Sequence, residues 1–309
     1  MNFDIHLKYG GRDEVGVKAL QRKLNDLGAH LVVDGIFGND MLIAVKDFQS
    51  KNKLTVDGIV GFQTWNALTG GEVATRPETD DAALAALKIK QTFLPKHCYN
   101  QSVVPKKQIV LHHTASGPLA QGVYDGWRAR ADKVATAFVI ERGGQIYQMF
   151  DENHWAWHLG IDPNMTKRFA QGLDAQSIAI ELCNWGWLNK QKPRSVNEKP
   201  VYRNYVFGEV PPEEVCGLGQ VWRGLEYFEK YSAAQIISAC KLVKYLAEKH
   251  KIPLTGFYTP SDGWFDINQN ALDGKPGLWN HTNYRTDKTD LSPQPEIIDA
   301  LCGLKNIYA

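Results

Sequence analysis

At 309 residues with 43% hydrophobic side chains, the chain is long enough to bury one large core and a second, smaller one, so two domains are expected. Its 35 basic and 34 acidic residues nearly cancel, which excludes the strong global field that draws proteins to nucleic acid or to an anionic membrane surface. Any polymer it binds must be recognised by local chemistry. The opening MNFDIHLKYGGRDEVG has no basic start followed by an apolar run, and no later stretch approaches membrane-spanning length. A monomer made in the cytoplasm without a signal peptide, and not inserted in a membrane, is the expectation.

Chain order brings an internal repeat first. Leu20-Gln21 leads to Asp34-Gly35-Ile36-Phe37-Gly38, and Phe48-Gln49 leads to Asp57-Gly58-Ile59-Val60-Gly61, with Gly35 and Gly58 23 residues apart. Val17, Leu20, Leu24 and Leu27 fall at helical spacing, as do Ala44, Val45 and Phe48, which predicts a three-helix unit ending near Thr64–Leu68. Asp34, Asp57 and the glycines are read as turn builders. Over residues 12–69 this pattern resembles the helical peptidoglycan-binding domain that accompanies many cell-wall hydrolases. The resemblance implies wall binding by residues 1–69 as a whole.

Residues 70–81, GGEVATRPETDD, offer almost nothing to bury and read as a linker, which is taken to run to residue 87. A tether of this kind raises the effective concentration of one module on a polymer held by the other.

Across 88–309 the texture becomes α/β. Strands are predicted at Gln108–Leu111, Ala137–Ile140, Ile146–Phe150 and Ser177–Leu182, a hairpin turn at Arg142–Gln145, and a helix at Ser232–His250 with an apolar stripe. That makes a central mixed β-sheet flanked by helices. Trp185–Tyr231 lacks periodicity and is left between a substrate-facing insertion and ordinary loop packing. Cys98, Cys183, Cys216, Cys240 and Cys302 form no CxxC pair and read as mostly buried thiols, with a Cys183–Cys216 bridge conceivable.

Three positions are candidate metal ligands: His112 at a strand end, His281, and Asp290 nine residues further on. Two histidines and a carboxylate meet the donor requirement of catalytic zinc, but the spacing alone is weak, since it is not a compact helical signature. Each also has a structural reading. His112 could be a hydrogen-bonded strand-end residue, Glu181 a salt-bridge partner and Lys288 a solvated loop charge. His113 should face the other side of its strand. His158 and Trp157 are candidate substrate contacts, against packing of the Trp155/Trp157 pair.

Taken in order, Ile109–Thr114, Phe138–Ile140, Ala156-Trp157-His158, Ile178–Glu181 and His281 with Arg285–Asp290 resemble the zinc amidases that include amidase-type phage lysozymes and peptidoglycan-recognition proteins, over residues 105–295. The resemblance implies that His112, His281 and Asp290 hold Zn2+, that Glu181 is the general base or acid, and that Lys288 stabilises the oxyanion. It implies cleavage of the amide between the muramic acid lactyl group and L-alanine of peptidoglycan, in the setting of a phage endolysin. Thr136 and Ala137 stand where relatives often carry tyrosine or histidine, and Asp290 where several use cysteine. A silent recognition protein and a zinc endopeptidase acting within the stem peptide are the alternatives.

Overall fold

A computed structural model describes residues 14–60, 64, 67–68, 87–161, 170–191, 200–254 and 264–305. The chain divides into two compact units, one of residues 1–78 with the C-terminal segment Pro295–Ile307, the other of residues 79–294. The expected linker at 70–87 lies, except for residue 87, outside the described residues.

In the first unit, α1 (Glu14–Asp26) and α2 (Asn39–Lys51) close over a core of Val17, Leu20, Leu24, Phe37, Met41, Val45, Phe48, Val60 and Leu68. Leu27 does not join the stripe. Helix α1 stops at Asp26, the Ala29 amide turns back to the Leu24 carbonyl at 3.0 Å, and Leu27 is left exposed. Of the expected third helix, Thr64, Ala67 and Leu68 are described, and all three are helical.

The repeat has a physical cause that turn chemistry alone does not supply. The buried Gln21 side chain donates to Asp34 Oδ1 at 2.7 Å and to the Ile36 carbonyl, and accepts from the Gly35 amide at 2.9 Å. Gln49 repeats the same contacts with Asp57 Oδ1 (2.8 Å), the Ile59 carbonyl (2.9 Å) and the Gly58 amide (2.9 Å). Each glutamine is the buried clamp on a DG turn in which Asp caps the amide two residues on. Gly58 is required there: its φ is +76°, and a Cβ would stand 2.4 Å from Leu42.

The second unit is built on a six-stranded mixed sheet. Its strands are β1 (Lys90–Gln91), β2 (Gln108–His113), β3 (Phe138–Ile140), β4 (Ile146–Gln148), β5 (Ser177–Leu182) and β11 (Gly277–Asn280), in the order β1-β4-β3-β5-β2-β11. The β3–β4 hairpin is antiparallel, and the other pairings are parallel. Strand β2 is buried along its whole length, as the continuous Ile-Val-Leu run demands of a central parallel strand. Helices α3 (Ala120–Arg128), α4 (Ala170–Gln176) and α5 (Ala233–His250) complete this layer, with α5 packed on β2, β3 and β5. Ser232 and Gln235 form a capping box at the start of α5, and the Gln235 amide also donates to the Cys183 carbonyl at 2.8 Å, tying the helix to the end of β5.

Among its described residues Trp185–Tyr231, which shows no periodicity, carries five strands. Strands β6 (Trp187–Gln191), β7 (Val201–Arg203), β8 (Glu209–Val210), β9 (Val215–Trp222) and β10 (Leu225–Glu229) make a separate antiparallel sheet in the order β8-β7-β6-β10-β9. The five cysteines are thiols, four of them buried, and the Cys183–Cys216 bridge is not made.

Two outcomes test these contacts. Gln49→Leu leaves the buried Gly58 amide without its acceptor, a loss of about 1–3 kcal/mol, and hydrogen exchange at that amide in the full-length protein should quicken by at least about tenfold; unchanged exchange would sink the clamp. Glu152, beside Lys249 (2.7 Å) and His250 (3.8 Å) of α5, is pushed up by burial but held down to about 2 by those two neighbours. A folded pKa below the unfolded value gives stability that is present above about 4.5 and is lost as pH falls toward 2. Glu152→Gln should therefore unfold more easily at neutral pH and show a flatter acid limb in pH-dependent denaturation.

Candidate active site

Parallel pairing sets the site. In the β2–β5 register His112 lies beside Glu181 and His113 beside Leu182, so His112 and Glu181 share one face and His113 takes the other. On that other face His113 Nδ1 meets the Tyr231 hydroxyl at 2.8 Å, and its ring lies so close to Gly186 that a Cβ there would be 2.5 Å from Nε2. Strand β11 runs beside β2 and delivers His281 one residue past its end, where Asn280 caps the short 3-10 turn His281–Asn283. The chain then loops through Arg285–Thr289 and returns at Asp290.

The ring nitrogens and the carboxylate converge. His112 Nδ1 is 3.1 Å from His281 Nδ1 and 3.1 Å from Asp290 Oδ2, and His281 Nδ1 is 2.8 Å from the same oxygen. All three residues are buried. Three donors this close suit one small cation, since tetrahedral zinc with bonds of about 2.0 Å holds its ligand atoms about 3.3 Å apart.

The outer nitrogens of both histidines are already engaged, which supports that fit. His281 Nε2 is 2.8 Å from the Leu159 carbonyl, an acceptor only, so Nε2 carries the proton and Nδ1 keeps its lone pair toward the cluster. For His112 the ordering comes through a chain. The Ser177 hydroxyl donates to the Leu173 carbonyl at 2.7 Å and accepts from His158 Nε2 at 2.7 Å. His158 Nδ1 is then the acceptor for His112 Nε2 at 3.1 Å, and His112 Nδ1 in turn faces His281 and Asp290 with a lone pair. The backbone amides of His158 and Leu159 are pinned by Asp174 Oδ1 at 2.8 and 2.9 Å.

Electrostatics follow enclosure. Burial, and after it the neighbouring His281, lowers His112 to about 4, and burial lowers His158 well below the usual imidazole range. Burial would raise Asp290, but His281 and His112 outweigh it and keep the carboxyl well below its ordinary value. Glu181 goes the other way: burial first, then the Asp290 charge, raises it well above the carboxylate range, and the Lys288 ammonium only partly opposes them. Glu181 Oε2 is enclosed without a hydrogen-bond partner among the described residues. An orphaned carboxyl oxygen beside a cluster that could hold a cation is a group suited to a proton or a substrate.

Of the residues singled out in the sequence, His112, His281, Asp290 and Glu181 are brought together, with Lys288 within electrostatic reach. The His158 side chain is 4% exposed and lies between His112 and Ser177. Trp157 is half-buried, edge-on to Trp155 at 5.1 Å, and is not part of this cluster. The Thr136 hydroxyl donates to the Phe138 carbonyl at 2.9 Å, so this side chain is engaged by a backbone contact. Ser177 and Leu159 were not anticipated. Only the adjacency of Leu159 to Trp157-His158 could have hinted at its role.

Two histidines and a carboxylate within ligand-to-ligand distance, with an unpaired carboxyl on the same face, form a cluster that could hold a metal ion. The profile of the N-acetylmuramoyl-L-alanine amidase family matches residues 102–292, more than half of the chain, and the profile of a putative peptidoglycan binding domain matches residues 13–68. The chain belongs to the N-acetylmuramoyl-L-alanine amidase family. Among solved structures it is similar to PlyL (12% identity over 72% of this chain and 97% of that one, TM-score 0.40). It is also similar to the N-acetylmuramoyl-L-alanine amidase LysC from Clostridium intestinale URNW (15% identity, 70% and 97%, TM-score 0.38). A peptidoglycan-binding protein from Clostridioides difficile is 38% identical over 20% of this chain, which spans 39% of that protein, with a TM-score of 0.20. No protein of curated function matches the chain.

If Ser177 and His158 orient His112, His158→Ala should weaken zinc binding roughly 10–100-fold in competition with a chromophoric chelator. An affinity within about twofold of the parent would leave the chain through Ser177 without a role.

Proposed function

We propose that the protein is a zinc-dependent N-acetylmuramoyl-L-alanine amidase that hydrolyses the amide between the muramic acid lactyl group and L-alanine. The observation that carries this reading is the convergence of His112, His281 and Asp290 beside the unpaired Glu181 carboxyl, within a chain of the amidase family. Zinc bound by those three residues would polarise the scissile carbonyl and bring the pKa of water down to about 7, making a nucleophile available at neutral pH.

The chain's own residues do the rest. Glu181 accepts the proton released by the attacking water and passes it to the departing L-alanine nitrogen, so that the carbon–nitrogen bond breaks to give a lactyl carboxylate and a free amine. Its enclosure suits this, since a carboxyl raised above its usual range holds a proton closer to neutrality. Lys288 places positive charge where the carbonyl oxygen becomes negative. Ser177, His158 and Leu159 keep the two imidazoles in the orientation that the site requires.

Peptidoglycan is the substrate that both profiles support, with residues 1–69 binding the wall, residues 88–309 providing the catalytic domain and 70–87 joining them. An endolysin, acting as a monomer on the wall after release from the cytoplasm, is the setting that this pairing of modules favours. Among the described residues no helix is long and apolar enough to cross a membrane.

Mass spectrometry of soluble products from purified peptidoglycan and zinc-loaded protein tests the reading. Stem peptides with a free L-alanine amino terminus are expected, with Glu181→Ala losing them at a cost of at least about 100-fold in rate. Cleavage inside the stem peptide would make the protein an endopeptidase, and an intact wall carrying bound protein would make it a recognition protein.

A further inference from the structure

The inserted sheet reaches the candidate site through one side chain. Strands β9 and β10 are joined by Trp222-Arg223-Gly224-Leu225, with Trp222 and Leu225 paired and φ values of +50° at Arg223 and +80° at Gly224. Two positive φ values make this a type I′ hairpin turn, whose first central position favours Asn, Asp or Gly. Arginine there adopts a left-handed conformation that costs about 1–3 kcal/mol, so turn geometry does not explain its presence.

Its guanidinium does. Nη1 donates to the carbonyls of Arg285 (2.8 Å), Thr286 (2.9 Å) and Lys288 (2.5 Å), and Nη2 to those of Phe265 (3.0 Å) and Thr282 (3.2 Å). The side chain is 13% exposed, and the nearest carboxylate oxygen recorded for it, Asp266 Oδ1, is 3.9 Å away on a side chain that is 74% exposed. The partners are therefore backbone. Four of the five belong to one loop, residues 282–288: Thr282 follows His281, Lys288 is the candidate oxyanion stabiliser, and Asp290 lies two residues beyond it. Irregular carbonyls of this kind have no strand ladder to satisfy them, and a planar fork with five N–H donors is the side chain that can gather several at once.

We propose that Arg223, supplied by the inserted sheet, is a positioning residue of the amidase site: its guanidinium holds the 282–288 backbone and so sets where Lys288 and Asp290 stand. Arg285 fastens the same loop from its other side, donating to the Gly160 carbonyl at 2.6 Å just past His158-Leu159. The inserted sheet thus becomes part of the machinery of the site. A lysine would not substitute, since a point ammonium with three donors cannot span carbonyls spread from Phe265 to Lys288.

This inference rests on the proposed zinc amidase, and its test separates the two. In the full-length protein Arg223→Ala, Arg223→Lys and, as a control in the same sheet, Arg203→Ala are compared for zinc affinity, for kcat and KM on peptidoglycan, and for thermal unfolding without metal. Arg223→Ala should lose roughly 10–100-fold in zinc affinity and comparably in kcat, with KM within about twofold, because the loss is of placement and not of substrate contact. Free guanidinium, below denaturing concentration, should restore part of both in Arg223→Ala and nothing in Arg203→Ala. Arg223→Lys, which keeps the stem and charge, should fold and remain impaired. Parent-like zinc affinity and kcat in Arg223→Lys and in any folded Arg223→Ala, or an equal loss in Arg203→Ala, would overturn the assignment. A parent protein that binds no zinc and frees no L-alanine termini would instead remove the proposed function beneath it.

Discussion

The parallel pairing of β2 with β5 is the constraint on which the rest of the site depends. Side chains alternate along a strand, so the register that sets His112 against Glu181 also decides that His113 faces away. A slip of one residue would exchange the two histidines and remove the candidate ligand from the face that Glu181 shares. The register is secured by burial: Ile109, Val110 and Leu111 on one strand and Ile178, Ala179 and Ile180 on the other are packed on both sides, and α5 covers them with its own apolar stripe. Strand β11, on the far side of β2, uses the same logic to deliver His281.

Around that pair the protein solves a problem of orientation. An imidazole offers two nitrogens, and a metal site needs a particular one with its lone pair free. Here the choice is made at a distance, by a backbone carbonyl for His281 and by a serine–histidine chain ending on the Leu173 carbonyl for His112. The arrangement engages both ring nitrogens of His158 with protein partners, and it makes the Trp157–Leu159 segment part of the support for the cluster.

The smaller unit shows the same economy with different chemistry. In each repeat a buried glutamine satisfies the amide and carbonyl groups of a glycine turn that would otherwise be left unpaired under the helix pair. The LQ and FQ elements and the DGxxG turns are therefore one device in two parts, which is why they recur together.

Sequence by itself determined the order of modules, the central strands and the identity of the chemical groups, because these depend on local periodicity and on residue types that few other chemistries use in that order. Val17, Leu20 and Leu24 declare a helix face, Ile109–Leu111 declares a buried strand, and His112, His281, Asp290, Glu181 and Lys288 stand in motifs that carry a family resemblance. Tertiary structure alone decided how those groups meet. The convergence of His112 on His281 spans 169 residues, and the Arg223 fork meets a loop about 60 residues away, so neither leaves a periodic trace in the chain. The inserted sheet leaves no pattern because β7 and β8 are short and the longer β9 is largely exposed or half-exposed, whereas the alternation that betrays a strand needs one face in a core and the other in water. His158 leaves no such trace for a related reason: a histidine that follows Trp155-Ala156-Trp157 has the same sequence whatever it faces, and its closeness to Ser177 and His112 exists only in space.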